Sequence, residues 1–185
     1  MGKFAVIDTE TNWADQVMSI GAVIADTDTW EAFDAKYYIL PIECQIGGMY
    51  ESTLFLDTPV PPILCTRSEA MLDLHSWFRQ HQIQSLFAYN ACFDRNHLPE
   101  LQSFDWYDIM RLAAYRQYNA CIPADAPCCA TGRLKRGYGV EAMMRLMAGD
   151  DAYCESHNAF YDAVDELRIM KLLGHSLSCY TKLSG

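Results

Sequence analysis

Val6-Ile7-Asp8-Thr9-Glu10-Thr11-Asn12 follows directly on Phe4-Ala5, so an apolar run ends in two carboxylates spaced i and i+2. The run reads as a buried strand over residues 4–10, and alternate residues of a strand share one face. Asp8 and Glu10 therefore project side by side from the end of a core strand. Like charges held that close repel unless something positive lies between them. Hard carboxylate oxygens suit a divalent cation in that position. Taken alone, the pair is also what a strand ending in a polar turn looks like, and both readings stand at this point.

Two further segments weigh on the choice. Leu86-Phe87-Ala88-Tyr89-Asn90-Ala91-Cys92-Phe93-Asp94 is a second apolar run that ends in a carboxylate. Near the C-terminus, His157-Asn158-Ala159-Phe160-Tyr161-Asp162 leads into the helical pattern Ala163-Val164, Leu167, Ile169-Met170, Leu172-Leu173. Asp8, Glu10, Asp94 and Asp162, with a histidine five residues before the last, match the acids and base of the DEDDh motif set. On these residues the chain resembles the DnaQ-like DEDDh 3′–5′ exonucleases, a family that includes polymerase proofreading domains. The matching motifs run from Phe4 to about Leu173, in the family's order.

Positions five apart on a regular helix differ by roughly 140°, so His157 and Asp162 do not share a helix face. His157 reads instead as a loop residue just before the helix, with Ser156 or Asn158 as N-cap.

The resemblance implies an α/β, ribonuclease H-like fold: a five-stranded mixed sheet of order 3-2-1-4-5, strand 2 antiparallel, flanked by helices. It also implies two divalent cations, Mg²⁺ or Mn²⁺, held by Asp8, Glu10, Asp94 and Asp162. Asp8 would be shared between the two, and Asp94 would act through bound water. Two such ions about 3.5–4 Å apart can activate a nucleophile and stabilise a leaving oxygen in phosphodiester cleavage. His157 is then the proton acceptor rather than a ligand, since imidazole exchanges protons near neutral pH. The implied activity is release of nucleoside 5′-monophosphates from the 3′ end of nucleic acid, with single-stranded DNA preferred. An RNA-trimming, oligoribonuclease-like enzyme is the alternative. A non-catalytic, polymerase-associated binding module is the other class.

One departure from the family's pattern falls just after the first acids. Many members read Asp-x-Glu-Thr-Thr-Gly there, whereas this chain reads Thr11-Asn12-Trp13. Loss of the glycine reshapes the loop that meets the terminal nucleotide. Trp13 is either a stacking face for a base or part of the core. Thr11, Trp13 and Asn90 are candidate substrate contacts. So are Arg133, Lys135 and Arg136 of the one dense basic run, for which a solvated loop is an equal reading.

The 185 residues, 51% hydrophobic and 21% charged, fit a single exonuclease domain over 1–185. A net charge of −10 argues against coating long stretches of nucleic acid, which needs many Lys and Arg contacts to phosphate. It leaves room for an enzyme that grips a few nucleotides at a strand end. Met1-Gly2-Lys3 runs straight into the first strand with no visible secretory signal. Apolar runs are too short to span a bilayer, so no membrane partner is expected. Eight cysteines read as reduced thiols in a cytoplasmic protein. Cys121, Cys128, Cys129 and Cys154 lack the Cys-x-x-Cys spacing of a zinc site. A polymerase or other protein partner is not specified by any motif.

Along the chain, strands are expected at Met18–Ala25, Lys36–Leu40, Ser85–Tyr89 and Trp106–Ile109, in addition to 4–10. Asp26–Thr29 is a turn between the second and third. Residues 41–62 read as irregular, broken by Gly47-Gly48, Pro59, Pro61 and Pro62. Helices are expected at Ser68–His81 with Ser68 as cap, from Asp94, at Met110–Tyr118, and from Tyr138 or Gly139 through Met147. Val140, Met143, Met144 and Met147 form an apolar face of the last, read as core filler. Asn119–Gly137 reads as an exposed excursion.

Overall fold

The structure, a computed structural model, describes residues 2–183. Met1, Ser184 and Gly185, which the expected domain includes, lie outside the described residues. Strands β1 (Lys3–Thr11), β2 (Val17–Asp26) and β3 (Ala32–Ile39) form an antiparallel meander. After helix α1 (Pro41–Cys44) come the two-residue strand β4 (Ile63–Leu64), helix α2 (Arg67–Gln80) and strand β5 (Ser85–Ala88). Helix α3 (Cys92–His97), strand β6 (Asp105–Asp108) and helices α4 (Met110–Ala113), α5 (Val140–Ala148) and α6 (Ala159–Leu173) complete the chain. The sheet order is β4-β3-β2-β1-β5-β6, with β5 parallel to β1 and β6 parallel to β5.

The five expected strands thus take the expected order, with β1 at the centre and β2 antiparallel. A sixth strand, β4, pairs in parallel with β3 at the edge. Two residues give no alternation to read, and the surrounding prolines masked it. Pro41 does end β3, but at the same time it occupies the first turn of α1, where its fixed φ suits a helix start. Strand β3 begins at Ala32, four residues before the expected Lys36, because Asp34 and Ala35 continue the ladder with β2 although their composition is not strand-like.

Other boundaries shift for local reasons. Thr66, not Ser68, caps α2: its hydroxyl accepts from the Glu69 N–H, and Glu69 reaches back to the Thr66 N–H at 2.8 Å, a capping box. Helix α3 starts at Cys92, so Asp94 lies in its first turn rather than opening it. Helix α4 stops at Ala113 instead of Tyr118, and Asn119 turns the chain by donating to the Ala113 carbonyl. Helix α5 follows Gly139 as expected, with Val140, Met143 and Met144 buried.

The two sheet faces divide β1 by parity. Ala5 and Ile7 pack with Leu74 and Phe78 of α2. Phe4 and Val6 pack with Met143 and Met144 of α5 and with Leu167, Ile169 and Met170 of α6. Asp8 and Glu10 are in phase with Phe4 and Val6 and therefore face α6. The helix can approach that closely because Gly21 of β2, paired with Asp8, has no side chain. A Cβ there would lie 2.0 Å from the Ala159 carbonyl oxygen and 2.4 Å from the Phe160 nitrogen. Glycine inside a strand commonly marks such a backbone approach.

Candidate active site

Three segments deliver acidic side chains to one end of the sheet. Strand β1 carries Asp8 and Glu10, α3 carries Asp94, and α6 carries Asp162. Glu10, Asp94 and Asp162 are buried and Asp8 is half-buried. Ligand atoms of Glu10, His157 and Asp162 lie within 4.8 Å of one another. Among the described residues, this is the one such group of three or more His, Cys, Asp and Glu. Cys121, Cys128, Cys129 and Cys154 form none.

The electrostatics are those of crowded, desolvated carboxylates. Burial, followed by the charges of Glu155 and Asp94, pushes Glu10 up to about 7, with contact to Asp162 opposing the rise. Burial and then the Asp94 charge raise Asp8 well above the carboxylate range. Asp162 is raised by burial and by Glu155 and Glu10. Asp94 is raised by burial although the Thr9 hydroxyl donates to its Oδ1 at 2.8 Å. Asp8 Oδ2 and Asp162 Oδ1 are enclosed and have no hydrogen-bond donor. A buried carboxylate oxygen without a donor is costly, and oxygens so arranged fit a hard divalent cation.

His157 precedes α6 in a left-handed conformation, φ +51°, which a non-glycine residue adopts only when its surroundings enforce it. Two contacts do so. Its carbonyl accepts from the Thr53 hydroxyl, and its ring stacks on Tyr50 with centroids 3.9 Å apart and planes 14° apart. Of the two N-caps considered, Asn158 takes the role: its Oδ1 accepts from the Phe160 and Tyr161 N–H groups. Its Nδ2 donates to the Tyr37 hydroxyl at 3.0 Å and the Thr53 carbonyl at 2.7 Å. The start of α6 is thereby tied to β3 and to the 50–57 segment. The ring of His157 stands within ligand distance of Glu10 and Asp162, so proximity alone does not separate a base from a ligand.

A cleft of about 370 Å³ opens beside Glu10, lined by Thr9, Thr11, Asn12, Trp13, Met49, Tyr50 and Phe93. Trp13 is 67% exposed, which removes the core reading of this residue. Its loop is held by the buried Asn12, whose Oδ1 accepts from the Ala14 and Gln16 N–H groups, both at 2.9 Å. The chain thus builds this turn from an asparagine side chain where the family pattern uses glycine nearby. Asn90 is exposed at φ +63° and its N–H donates to Asp108. It does not line the cleft. Nor do Arg133, Lys135 and Arg136. The Arg133 guanidinium stacks over Tyr138 at 4.9 Å, while Lys135 and Arg136 are exposed. A wider groove of about 560 Å³, lined in part by Asp15, Arg67 and His97, contains none of the clustered acids. Its polar side chains are already partnered, His97 with Asp15 at 3.0 Å and Arg67 with Glu100 at 2.8 Å.

Sequence reasoning missed Glu155, Glu166 and Tyr50. Glu166 had a signal: it lies four residues after Asp162, within the stripe of α6 that should be apolar. Tyr50 lies in an irregular segment and had none.

The fold, a mixed sheet flanked by helices, is shared with solved exonuclease structures. Among solved structures the chain is similar to the nuclease domain of 3′hExo, a DEDDh family member, bound to rAMP. That match has a TM-score of 0.67 and 13% identity, over 98% of this chain and 96% of the other. A 3′-exonuclease in specific recognition of the histone mRNA stem-loop 3′ end matches with a TM-score of 0.65 and 13% identity, over 99% and 91%. Exonuclease I of E. coli with a dT13 oligonucleotide matches with a TM-score of 0.59 and 14% identity, over 97% of this chain but 42% of that enzyme. No family model and no curated protein matches the sequence. At these identities the likeness is one of fold. Among the described residues, no helix is long and apolar enough to cross a membrane.

Proposed function

We propose that this chain is a metal-dependent 3′–5′ exonuclease, acting as one domain over residues 1–185 and releasing nucleoside 5′-monophosphates from nucleic-acid 3′ ends. The observation that carries the reading is the close grouping of Glu10, His157 and Asp162, with Asp8 and Asp94 at the same end of the sheet, beside an aromatic-lined cleft. Asp8, Glu10, Asp94 and Asp162 would hold two Mg²⁺ or Mn²⁺ ions, and the enclosed oxygens of Asp8 and Asp162 without donors support that role. When bound, such ions supply charge stabilisation at the scissile phosphate and lower the pKa of water.

The protein's own groups account for the rest. His157, held by Tyr50 and Thr53, accepts the proton of the attacking water at a ring nitrogen. Trp13 and Phe93 offer faces on which a terminal base can stack, with Thr11 at the cleft wall. Asn90, Arg133, Lys135 and Arg136 stand outside that cleft and would contact only nucleotides further from the end. Single-stranded DNA is the substrate we favour, since an unpaired end enters the cleft without breaking base pairs. RNA is the second reading, because the two neighbours of highest TM-score above are bound to rAMP or recognise an mRNA stem-loop. A cytoplasmic site of action completes the proposal.

The test is a digest of 5′-labelled single-stranded DNA, duplex DNA, RNA and a covalently closed single-stranded circle, with Mg²⁺ and with EDTA. Linear single strands should shorten stepwise from the 3′ end to mononucleotides, blunt duplexes more slowly, and neither in EDTA. Circles cut at a rate comparable to linear strands would make the enzyme an endonuclease. Absence of any Mg²⁺-dependent release would leave a binding module.

A further inference from the structure

His157 stands near the end of the loop that joins α5 to α6. Gly149 closes α5 in the left-handed region at φ +66°, and the chain then runs without helix or strand until Ala159. Loops of that kind open more readily than the elements they connect. Tyr50 and Thr53 hold this one at His157 itself. A second hold lies upstream and comes from α5.

Glu141 and Arg145 are i, i+4 neighbours on one face of α5 and pair at 2.9 Å. Each also grips loop backbone. Arg145 Nε donates to the Tyr153 carbonyl at 2.7 Å. Glu141 accepts from the Glu155 N–H at 3.1 Å through Oε2, while its Oε1 takes the guanidinium. That N–H is the main reason Glu141 lies below the ordinary carboxylate range, so it is ionised near neutral pH. The Tyr153 hydroxyl adds a bond to Asp165 of α6 at 2.5 Å. Both side chains of the ion pair are partly exposed, and such a pair contributes little stability by itself. What it does fix is the place of two alternate backbone groups. Glu155 precedes His157 by two residues, at most ~7 Å of chain.

We propose that Glu141 and Arg145 are positioning residues, which clamp the backbone at Tyr153 and Glu155 and so hold the His157 ring beside Glu10 and Asp162 before substrate arrives. The assignment rests on the reading of His157 as the proton acceptor and deepens it. The left-handed backbone of His157 is unfavourable for a residue with a side chain, and it relaxes if the loop is released. With the α5 clamp on one side and Tyr50 and Thr53 on the other, that relaxation is blocked. A base works only within hydrogen-bond reach of its proton, and a misplacement of ~1 Å can cost about 10²-fold in rate.

The experiment is a double-mutant cycle on the full chain: wild type, Glu141→Ala, His157→Ala and the double variant, with Glu141→Gln and Arg145→Ala alongside. Single-turnover rates and KM are read with Mg²⁺ on a 5′-labelled single strand, together with thermal melts and backbone hydrogen exchange. Glu141→Ala and Arg145→Ala should slow turnover about ten- to a hundredfold, with KM changed by less than about threefold. Exchange at the Glu155 N–H should rise, while Tm falls by no more than about 3 °C, as for loss of an exposed ion pair. Glu141→Gln, whose amide oxygen still accepts from that N–H, should keep most of the rate. In the His157→Ala background, adding Glu141→Ala should change the rate by less than about twofold, because the residue acts only through the imidazole. A Glu141→Ala protein with wild-type turnover overturns the assignment and leaves the exonuclease standing. Losses that add in full in the double variant make the clamp merely structural and overturn it too. A wild type without Mg²⁺-dependent turnover overturns the exonuclease reading itself, and the clamp's role with it.

Discussion

Removing divalent ions and raising the pH from 5 to 8 should destabilise the protein, against the usual behaviour of an acidic chain whose carboxylates are paired. Glu10 sets the magnitude. Its ordinary value of 4.5 becomes about 7 in the folded protein, through burial first and the Glu155 and Asp94 charges second. Between those values the folded state holds a proton that the unfolded chain has released, so unfolding free energy falls as pH rises. The contribution is complete below the unfolded value and lost as pH passes through about 7. At ~1.36 kcal/mol per pKa unit, the separation is worth roughly 3 kcal/mol. That is a large fraction of the 5–15 kcal/mol typical of a domain. For a chain of this length it corresponds to a drop in Tm of roughly 6–12 °C. Asp8, Asp94, Asp162 and Glu166 are raised too and act in the same direction. Carboxylates with lowered values, such as Asp26 and Glu141, contribute stability that is lost only as pH falls toward acid. They are already ionised at pH 5 and do not confuse the window. The assay is a set of thermal melts in EDTA at pH 5, 6, 7 and 8, repeated with saturating Mn²⁺, which should restore the loss. A Tm in EDTA that stays flat or climbs across this range would refute the picture of crowded acids held near one another without a counter-ion.

Three substitutions probe the parts separately. His157→Ala should lower turnover about 10²- to 10⁴-fold, the range for a general base, while calorimetric Mn²⁺ affinity stays within threefold; a large loss of affinity would make His157 a ligand alongside Glu10 and Asp162. Gly21→Ala should lower stability to urea by at least ~2 kcal/mol and weaken Mn²⁺ binding, because the new Cβ meets backbone of Ala159 and Phe160 and drives Asp162 away from Asp8. A change in unfolding free energy within ~0.5 kcal/mol would show that α6 is not pressed against β2 as described. Trp13→Ala should raise KM for short single strands by about five- to a hundredfold, as expected from stacking of one base at ~1–3 kcal/mol, with kcat little changed, and equal KM values would remove Trp13 from the substrate path.

What could be read in advance follows the range of the physics involved. Asp8 and Glu10 were legible as a pair because strand alternation is a two-residue rule, and parity with Phe4 and Val6 fixes the face they share. Asn158 was legible as one of two candidate caps because capping is local. Thr66-x-x-Glu69 carries an equally local signal for the start of α2, and its reciprocal capping box prevails over Ser68. Strand β4 was not legible, since Ile63-Leu64 gains strand geometry only from its pairing with β3. The stacking of Tyr50 on His157 joins residues more than a hundred positions apart and depends on where the irregular 45–58 segment folds back. Glu166 stands between these cases. Its place in an apolar stripe was visible in the sequence, but the absence of a partner for Oε2 is a property of the packed core.

The arrangement of the acids owes nothing to their mutual electrostatics, which oppose it. Asp8 and Glu10 are fixed by the β1–β2 ladder, and Asp162 by the approach of α6 over Gly21. Asp94 is fixed by α3 and the Thr9 hydroxyl, and His157 by the Thr53 hydroxyl and the Tyr50 ring. Each constraint is anchored in a different part of the core, so no small movement relieves all of the repulsion at once. Packing energy from the two apolar faces of the sheet is therefore stored as electrostatic strain at one end of β1. A cation entering the centre recovers that strain on binding and meets ligands that need little reorganisation.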